Sequence, residues 1–399
     1  MTSLKGDQSA VRALNRRLVL NQLRQFGPLS RVKLAELTGL SSAAITGVTA
    51  ELIQERFLTE QAVGESRGGR PPILLDLNYQ AHQAVGLKLM EDRLEAVLTD
   101  LATRVLRRES RFLRGRSPHD VAEQAAEVTA TLLAHADLSA SHLVGIGMGL
   151  PGVIDANKGL CVQSPILGWR NVPIAALIAD RVGVPVWVDN DVNAFAAAER
   201  LFGHGKRARS FVTVTVGRGI GAGLVLDGRI YRGRQGGAGE LGHTVVEPGG
   251  RPCECGNRGC LEAYASEPSL LARFAEQHPH AAPADLPGLL ALLSAEHPTA
   301  QALVADAGRR VGYALANLVN VLNPELIVLG GEGVRLGDAF VHPLRHALQE
   351  SAFDGLAHDL PVVVDAWGDD AWARGAASLA LQYTFDFESN RGEAMRNTS

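Results

Sequence analysis

The stretch Gly236–Glu262 reads GGAGELGHTVVEPGGRPCECGNRGCLE. Three of the chain's four cysteines, Cys253, Cys255 and Cys260, fall inside it, with His243 one loop upstream. Soft thiolates and an imidazole at such short spacing are what a closed tetrahedral Zn²⁺ site requires. The alternative for such a cluster is a reactive or merely buried set of thiols. Two carboxylates, Glu240 and Glu262, bracket the set. The segment therefore predicts a polar pocket held in shape by a metal.

The rest of the composition sets wide bounds. A chain of 399 residues has room for two or three domains and a large core. Apolar content of 46% and charged content of 21% describe an ordinary globular protein. No apolar run approaches the roughly 20 residues that span a bilayer, and MTSLKGDQSAVRALNRR has no apolar signal core. Four cysteines with three clustered are no secreted disulfide framework, so a cytoplasmic location and no membrane contact are expected. The net charge of −4 hides an asymmetry. Residues 1–72 carry ten Lys/Arg against six Asp/Glu, a net of +4, which leaves −8 for the remainder. A basic N-terminal module on an acidic body points to a nucleic-acid contact at that end.

That module has a recognisable pattern. Segment 10–26 is helical by period, with Val11, Leu14, Leu18 and Leu23 on one side, and Gly27-Pro28 ends it. Ser30 can cap a short helix, RVKLAELTG, that stops at Gly39. Leu40 and Ser41 turn the chain into a third helix from about Ser42 to Arg56. Two short helices on a tight turn form a helix-turn-helix. FLTEQAVGESRGGRPPILLDLN then reads as a β-hairpin wing with an Arg-bearing tip. From Gln80 onward α and β alternate. Strands are expected at 83–89, 94–100, 143–149, 185–189, 325–329 and 361–365. The segment 211–232 reads as two strands about a glycine turn.

The helix-turn-helix, the glycine turn and the Cys/His cluster together resemble the ROK family (repressors, open reading frames and kinases). VGRGIGAGLVLDGRIYRGRQGGAGELGH followed by CECGNRGCLE carries the resemblance most specifically. GLPGVID (149–155), SPILGWRNVPI (164–174), VDNDVNAFAAAER (188–200) and NPELIVLGG (323–331) support it, and LSRVKLAELTGLS and GGRPP resemble the repressor branch. The resemblance covers about residues 10–382. It implies an α/β chain in which an N-terminal winged helix-turn-helix precedes a two-lobed, actin-like ATPase fold. Expected bounds are 1–78 for the DNA-binding domain and 79–190 for the first lobe, completed by 366–383. The second lobe with the zinc site takes 191–365, and 384–399 form a flexible tail.

By resemblance, His243, Cys253, Cys255 and Cys260 match the family's ligand pattern. Four protein ligands leave no open position for a catalytic water, so the zinc is expected to be structural. Cys161 lies outside the pattern as an ordinary buried thiol. Asn190, Asp191, Glu240, His243 and Glu262 correspond to the family's sugar-binding ring, whose paired polar groups suit hydroxyls that both donate and accept. Asp191 is also the position of the kinases' general base. Read alone, DNDVN before an Ala-rich helix equally suits Asp191 to a helix N-terminus, and both roles can coexist. Many kinase members have Asn before the tryptophan where this chain has Ile166, which removes one hydroxyl contact.

The phosphate loops separate enzyme from regulator. The kinases open their first lobe with an Asp-x-Gly-Gly-Thr turn whose glycines admit phosphate and whose Asp serves Mg²⁺. Aligning AVGLKLMEDRLEAVLTD on it puts Lys88 at the Asp, Met90 and Glu91 at the glycines and Asp92 at the Thr. Two acids facing phosphates in a partly desolvated cleft repel them. No ATP binding and no catalytic residues are expected, with Asp191 a vestigial base. The second turn, Gly217-Arg218-Gly219-Ile220-Gly221, survives as architecture.

For DNA reading, Ser42, Thr46 and Thr49 are the recognition-helix candidates, with Ser41 in the turn. The helix is uncharged, so readout would rest on hydroxyl and methyl contacts. Arg31, Lys33 and Arg56 suit phosphates, and Arg67 and Arg70 at the wing tip suit a minor groove. The expected function is a sugar-responsive transcriptional regulator, a homodimer or tetramer on a roughly palindromic operator. A sugar between the lobes, xylose or glucose first and an amino-sugar phosphate next, would alter operator affinity. Two alternatives stay open: an ATP-dependent sugar kinase with a fused reader, and a regulator controlled by a phosphotransfer protein.

Overall fold

The computed structural model describes residues 8–61, 72–136, 138, 143–365, 368 and 371–385. Two compact units emerge: one of residues up to Phe202 together with those from Trp372 onward, the other Gly203–Ala371. The expected boundary at 190/191 thus moves to the end of the following helix. The expected wing tip, with Arg67 and Arg70, and the tail from 386 onward lie outside the described residues.

The first unit opens with helix α1 (Gln8–Phe26), strand β1 (Leu29–Ser30), and helices α2 (Arg31–Thr38) and α3 (Ser42–Gln54). Ser30 caps α2 by accepting from the Lys33 N–H, and Gly39 ends it at φ 70°. Ser41 caps α3 by accepting from the Ala44 N–H. These caps satisfy backbone donors that a helix start leaves without partners. Strands β2 (Leu58–Gln61) and β3 (Leu74–Leu77) pair antiparallel, Leu58 opposite Leu77, with β1 on the other side of β3. This is the winged helix-turn-helix. The buried face of α1 differs from the expected one. Val19, Leu20 and Leu23 are buried, whereas Val11 and Leu14 are 50% and 42% exposed. The first half of α1 is instead tied to α3 by Arg12–Glu51 and Arg16–Glu55 ion pairs. Charge pairing along an exposed seam does there what burial does in the second half.

Next come β4 (Gln83–Leu89), β5 (Arg93–Asp100), β6 (Val105–Phe112), α4 (Pro118–His135) and β7 (Leu143–Leu150). A small antiparallel sheet follows, of β8 (Val153–Asp155), β9 (Leu160–Ser164) and β10 (Trp169–Val172). Then α5 (Ile174–Val182), β11 (Val186–Asn190) and α6 (Asp191–Leu201) close this part. The main sheet has the order β11-β7-β4-β5-β6, parallel across β4, β7 and β11 and antiparallel across β4, β5 and β6. Every residue of β4 is buried, as a central strand covered on both faces requires.

The second unit repeats this wiring. Its elements are β12 (Phe211–Val216), β13 (Ile220–Leu226), β14 (Arg229–Tyr231), α7 (Glu262–Ala265), α8 (Glu267–Gln277), α9 (Leu286–Ser294), α10 (Pro298–Leu322), β15 (Ile327–Gly330), α11 (Asp338–Ser351) and β16 (Val362–Val364). The order β14-β13-β12-β15-β16 again joins a three-strand meander to two parallel strands. The segment 211–232 holds three strands instead of two, because Asp227-Gly228 adds a second turn, both residues having positive φ. Two units of one topology make the actin-like plan.

Helix α12 (Ala371–Phe385) returns to the first unit. It lies directly on the sheet at two glycines. A Cβ at Gly86 would stand 1.9 Å from the Ala373 carbonyl oxygen, and one at Gly147 would stand 1.8 Å from that of Ala376. Only glycine allows this approach. Thr384 and Phe385 belong to the helix, not to a tail, and Phe385 is fully buried.

Candidate functional site

The metal cluster belongs to the second unit. Its four ligand atoms, from His243, Cys253, Cys255 and Cys260, lie within 4.8 Å of one another. The Cys255 and Cys260 sulfurs are 3.7 Å apart, and the Cys253 sulfur is 3.7 Å from His243 Nδ1. A tetrahedron with Zn–S bonds of about 2.3 Å has edges of about 3.8 Å, so the spacing fits. Local backbone chemistry builds the loop. The Cys253 N–H bonds to the Asn257 carbonyl at 2.9 Å, and the Gly256 N–H to that of Cys253 at 3.0 Å. Gly259 turns at φ 79°, where a Cβ would stand 1.8 Å from the Glu247 carbonyl oxygen. Burial pushes the Cys253 thiol up to about 12 and raises Cys260 as well. Burial also opposes ionisation of Cys255, but the Asn257 N–H and the neighbouring thiols donate toward it and the net shift is downward. Crowded thiols that share protons this way are suited to exchange them for a cation.

With Nδ1 turned to the thiols, His243 Nε2 faces Glu240 at 4.0 Å. At that distance the two groups are neighbours without a hydrogen bond. Glu262, at the start of α7, accepts the Ile220 N–H at 3.0 Å.

In the first unit, Asn190 and Asp191 stand where β11 passes into α6. The Asn190 side chain caps α6 by accepting from the Val192 N–H at 2.9 Å and donates to the Gly152 carbonyl at 3.1 Å. Asp191 Oδ1 accepts the same Val192 N–H at 2.9 Å, and Oδ2 pairs with Lys88 Nζ. Lys88 in turn sits over the Trp372 ring, 4.5 Å from its centroid. Met90 to Asp92 form the tight turn between β4 and β5, with Glu91 and Asp92 exposed.

The glycine turn of the second unit is lined by its own carboxylates. A Cβ at Gly217 would lie 2.4 Å from Glu332 Oε2, and one at Gly219 would lie 2.8 Å from Glu262 Oε2. Burial raises Glu267, with Glu332 and Asp285 adding repulsion. An acidic lining disfavours a second anion at this turn.

On the winged helix, Ser42 and Thr46 are exposed, and the Thr46 hydroxyl donates to the Ser42 carbonyl at 2.8 Å. Thr49 is fully buried. It stands one turn from both Ile45 and Leu52 and shares their inward face. Its Oγ1 accepts from Arg31 Nε at 3.1 Å, while Arg31 NH2 pairs with Glu60 at 2.8 Å. The expectation that Thr49 reads a base is therefore corrected: it anchors Arg31, which ties α2 and α3 to the wing. Lys33 pairs with Glu36 at 2.8 Å. Arg56, exposed after α3, has no ion pair among the described residues.

The ROK family profile matches residues 84–383 of this chain. The chain belongs to the ROK family. Similar ROK relatives include the xylose repressor of Bacillus subtilis (strain 168), 30% identical over 381 residues, spanning 96% of this chain and 98% of that one. The DNA-binding transcriptional dual regulator NagC of Escherichia coli (strain K12) is 29% identical, spanning 90% of each. Among solved structures, a ROK family transcriptional regulator, homolog of the E. coli MLC protein, superposes with a TM-score of 0.84 at 29% identity, covering 96% of this chain and 99% of its own. A ROK family glucokinase from Streptomyces griseus, in complex with glucose and AMPPNP, gives 0.66 at 26% identity, covering 75% and 99%. The regulator accounts for nearly the whole chain; the glucokinase leaves a quarter of it unmatched.

Within this ROK chain the expected site residues are distributed over both units. Asn190 and Asp191 lie in the first; Glu240, His243 and Glu262 lie in the second, with the Cys/His cluster. The Lys88–Asp191 pair and the Glu332 carboxylate over Gly217 escaped sequence reasoning. The pair joins residues 103 apart, which no local pattern signals. Among the described residues no helix is long and apolar enough to cross a membrane.

Proposed function

We propose that this chain is a sugar-responsive DNA-binding regulator, most simply a repressor of sugar-utilisation genes, and not a kinase. The observation that carries this reading is the Lys88–Asp191 pair, in a chain that also has a winged helix-turn-helix. A general base must be free to take a proton. Here both Asp191 oxygens are engaged, one by an ammonium and one by a backbone N–H. Exposed Glu91 and Asp92 on the first turn and Glu332 on the second oppose nucleotide phosphates. The same Asp191 oxygens keep lone pairs for sugar hydroxyls, so binding can outlast catalysis.

The sugar ring draws on Asn190, Asp191, Glu240, His243 and Glu262, with xylose or glucose as the leading effector, as the xylose repressor's name suggests. The metal is zinc in a structural role, held by His243, Cys253, Cys255 and Cys260. DNA contact falls to Ser41, Ser42 and Thr46 with Arg56, joined by Arg67 and Arg70 from the segment outside the described residues. A homodimer would place two readers on a palindromic operator. Two assays test the reading together. Anisotropy on a duplex selected from random DNA should show operator affinity changing with D-xylose or D-glucose. A coupled assay with sugar, ATP and Mg²⁺ should show no turnover; turnover at ordinary kinase rates, roughly 1–100 s⁻¹, would refute it.

A further inference from the structure

Helix α6 starts at Asp191 and ends at Leu201, whose carbonyl accepts from the Arg24 guanidinium of α1. Helix α12 sets Trp372, its second residue, against Lys88, and near its far end the Tyr383 carbonyl accepts from Arg17 Nε at 3.0 Å. The Leu201 carbonyl lies in the last turn of α6, at the negative end of the helix dipole, and the Tyr383 carbonyl lies in the last described turn of α12. A guanidinium is the matching group. Arg17 and Arg24 are seven residues apart, two turns on one face of α1. Arg24 is only 6% exposed, and Asn21 Oδ1 holds it further at 3.0 and 2.7 Å.

The two helices are stiff and mutually packed. They span roughly 16 and 22 Å at 1.5 Å per residue. A Cβ at Gly375 of α12 would stand 3.3 Å from the Ala194 backbone of α6. One apolar cluster holds Val19, Leu20 and Leu23 of α1 with Leu201, Leu381 and Phe385. Each helix therefore has one end at the Lys88–Asp191 pair and the other bolted to the first helix of the DNA reader.

We infer that α6 and α12 transmit effector occupancy at Asp191 to the winged helix, with Arg24 and Arg17 as the fastening points. The inference rests on the sugar-responsive reading above. A sugar hydroxyl that donates to a remaining lone pair of Asp191 shares the carboxylate with Lys88 and weakens their pair. Because Lys88 is also held on Trp372, the change bears on the N-terminal ends of both helices at once. The effector works through its different affinity for the two arrangements, so its coupling to DNA is reciprocal.

The test compares full-length wild type, Arg17→Met, Arg24→Met and the double variant. Operator Kd is read by anisotropy on the selected duplex, with and without saturating D-xylose or D-glucose, and sugar Kd by calorimetry. Sugar is expected to change the wild-type operator Kd about tenfold, within the usual range of coupling. In the double variant the sugar Kd stays within about threefold, while the operator ratio falls below about twofold. Arg17→Lys restores more of the ratio than Arg17→Met. A folded double variant with the wild-type ratio overturns the inference. Should Arg24→Met fail to fold, Arg17→Met alone must reduce the ratio, and an unchanged ratio overturns the inference equally. A wild type whose operator affinity ignores both sugars removes the sugar-responsive reading and this inference with it.

Discussion

The ammonium of Lys88 pairs with the carboxylate of Asp191 in a recess that leaves their side chains 7% and 19% exposed. Such a pair is costly to break from one side, because the surviving charge stays desolvated. Lys88→Met is expected to lower stability by about 3–5 kcal/mol. Lys88→Met with Asp191→Asn should recover most of that loss, since no buried charge remains. Urea unfolding of the three variants and wild type checks this. A single-variant loss below about 1 kcal/mol would place the pair in the class of surface contacts.

Metal analysis should find about one zinc per chain, as a closed four-ligand site predicts. Cys255→Ser should lose the metal and lower Tm. A loss of 2–3 kcal/mol corresponds to roughly 5–10 °C for a domain this size. Chelation of wild type should reproduce the shift, and a metal-free protein with unchanged Tm would contradict the assignment.

On DNA, Arg56→Ala should weaken binding about equally across sequences and lower the salt slope by about one. Thr49→Val should behave differently. It removes the Arg31 anchor, so a stability loss of about 1 kcal/mol is expected, with no change in base preference. A changed preference in selection experiments would return Thr49 to the reading surface.

Cys161 gives the pH dependence a definite sign. It is buried, and burial pushes its thiol up to about 11. In the unfolded chain a cysteine ionises near 8.5. The folded state thus binds the proton more tightly, and this contribution is full below about pH 8.5 and declines as the pH rises toward 11. Cys161→Ala should flatten the alkaline limb of a stability profile. Thiol-reactive reagents should reach Cys161 in the native protein only on unfolding.

Much of this protein is legible in its sequence, for identifiable reasons. The candidate metal ligands His243, Cys253, Cys255 and Cys260 crowd into one short stretch, so spacing alone points to them. Caps at Ser30 and Ser41 act over three residues and can be read locally. Failures occur where the partner is remote. The apolar period of α1 included Val11 and Leu14, but what α1 buries depends on which half meets the C-terminal helix. Thr49 lies on the same stripe as Ser42 and Thr46 by spacing; only the packing of Ile45 and Leu52 shows that it faces inward.

By itself the sequence determined the order of elements, the winged helix, the metal cluster and the family, since each rests on local patterns of spacing and capping. Tertiary structure decided the rest. It brought Lys88 onto Asp191 across 103 residues, set Glu332 over Gly217, and fastened α1 to the far ends of two helices. These contacts join strands and helices whose proximity depends on sheet order and close glycine packing. Charges and carbonyls that are unremarkable in the chain acquire their roles only when the fold removes the water between them.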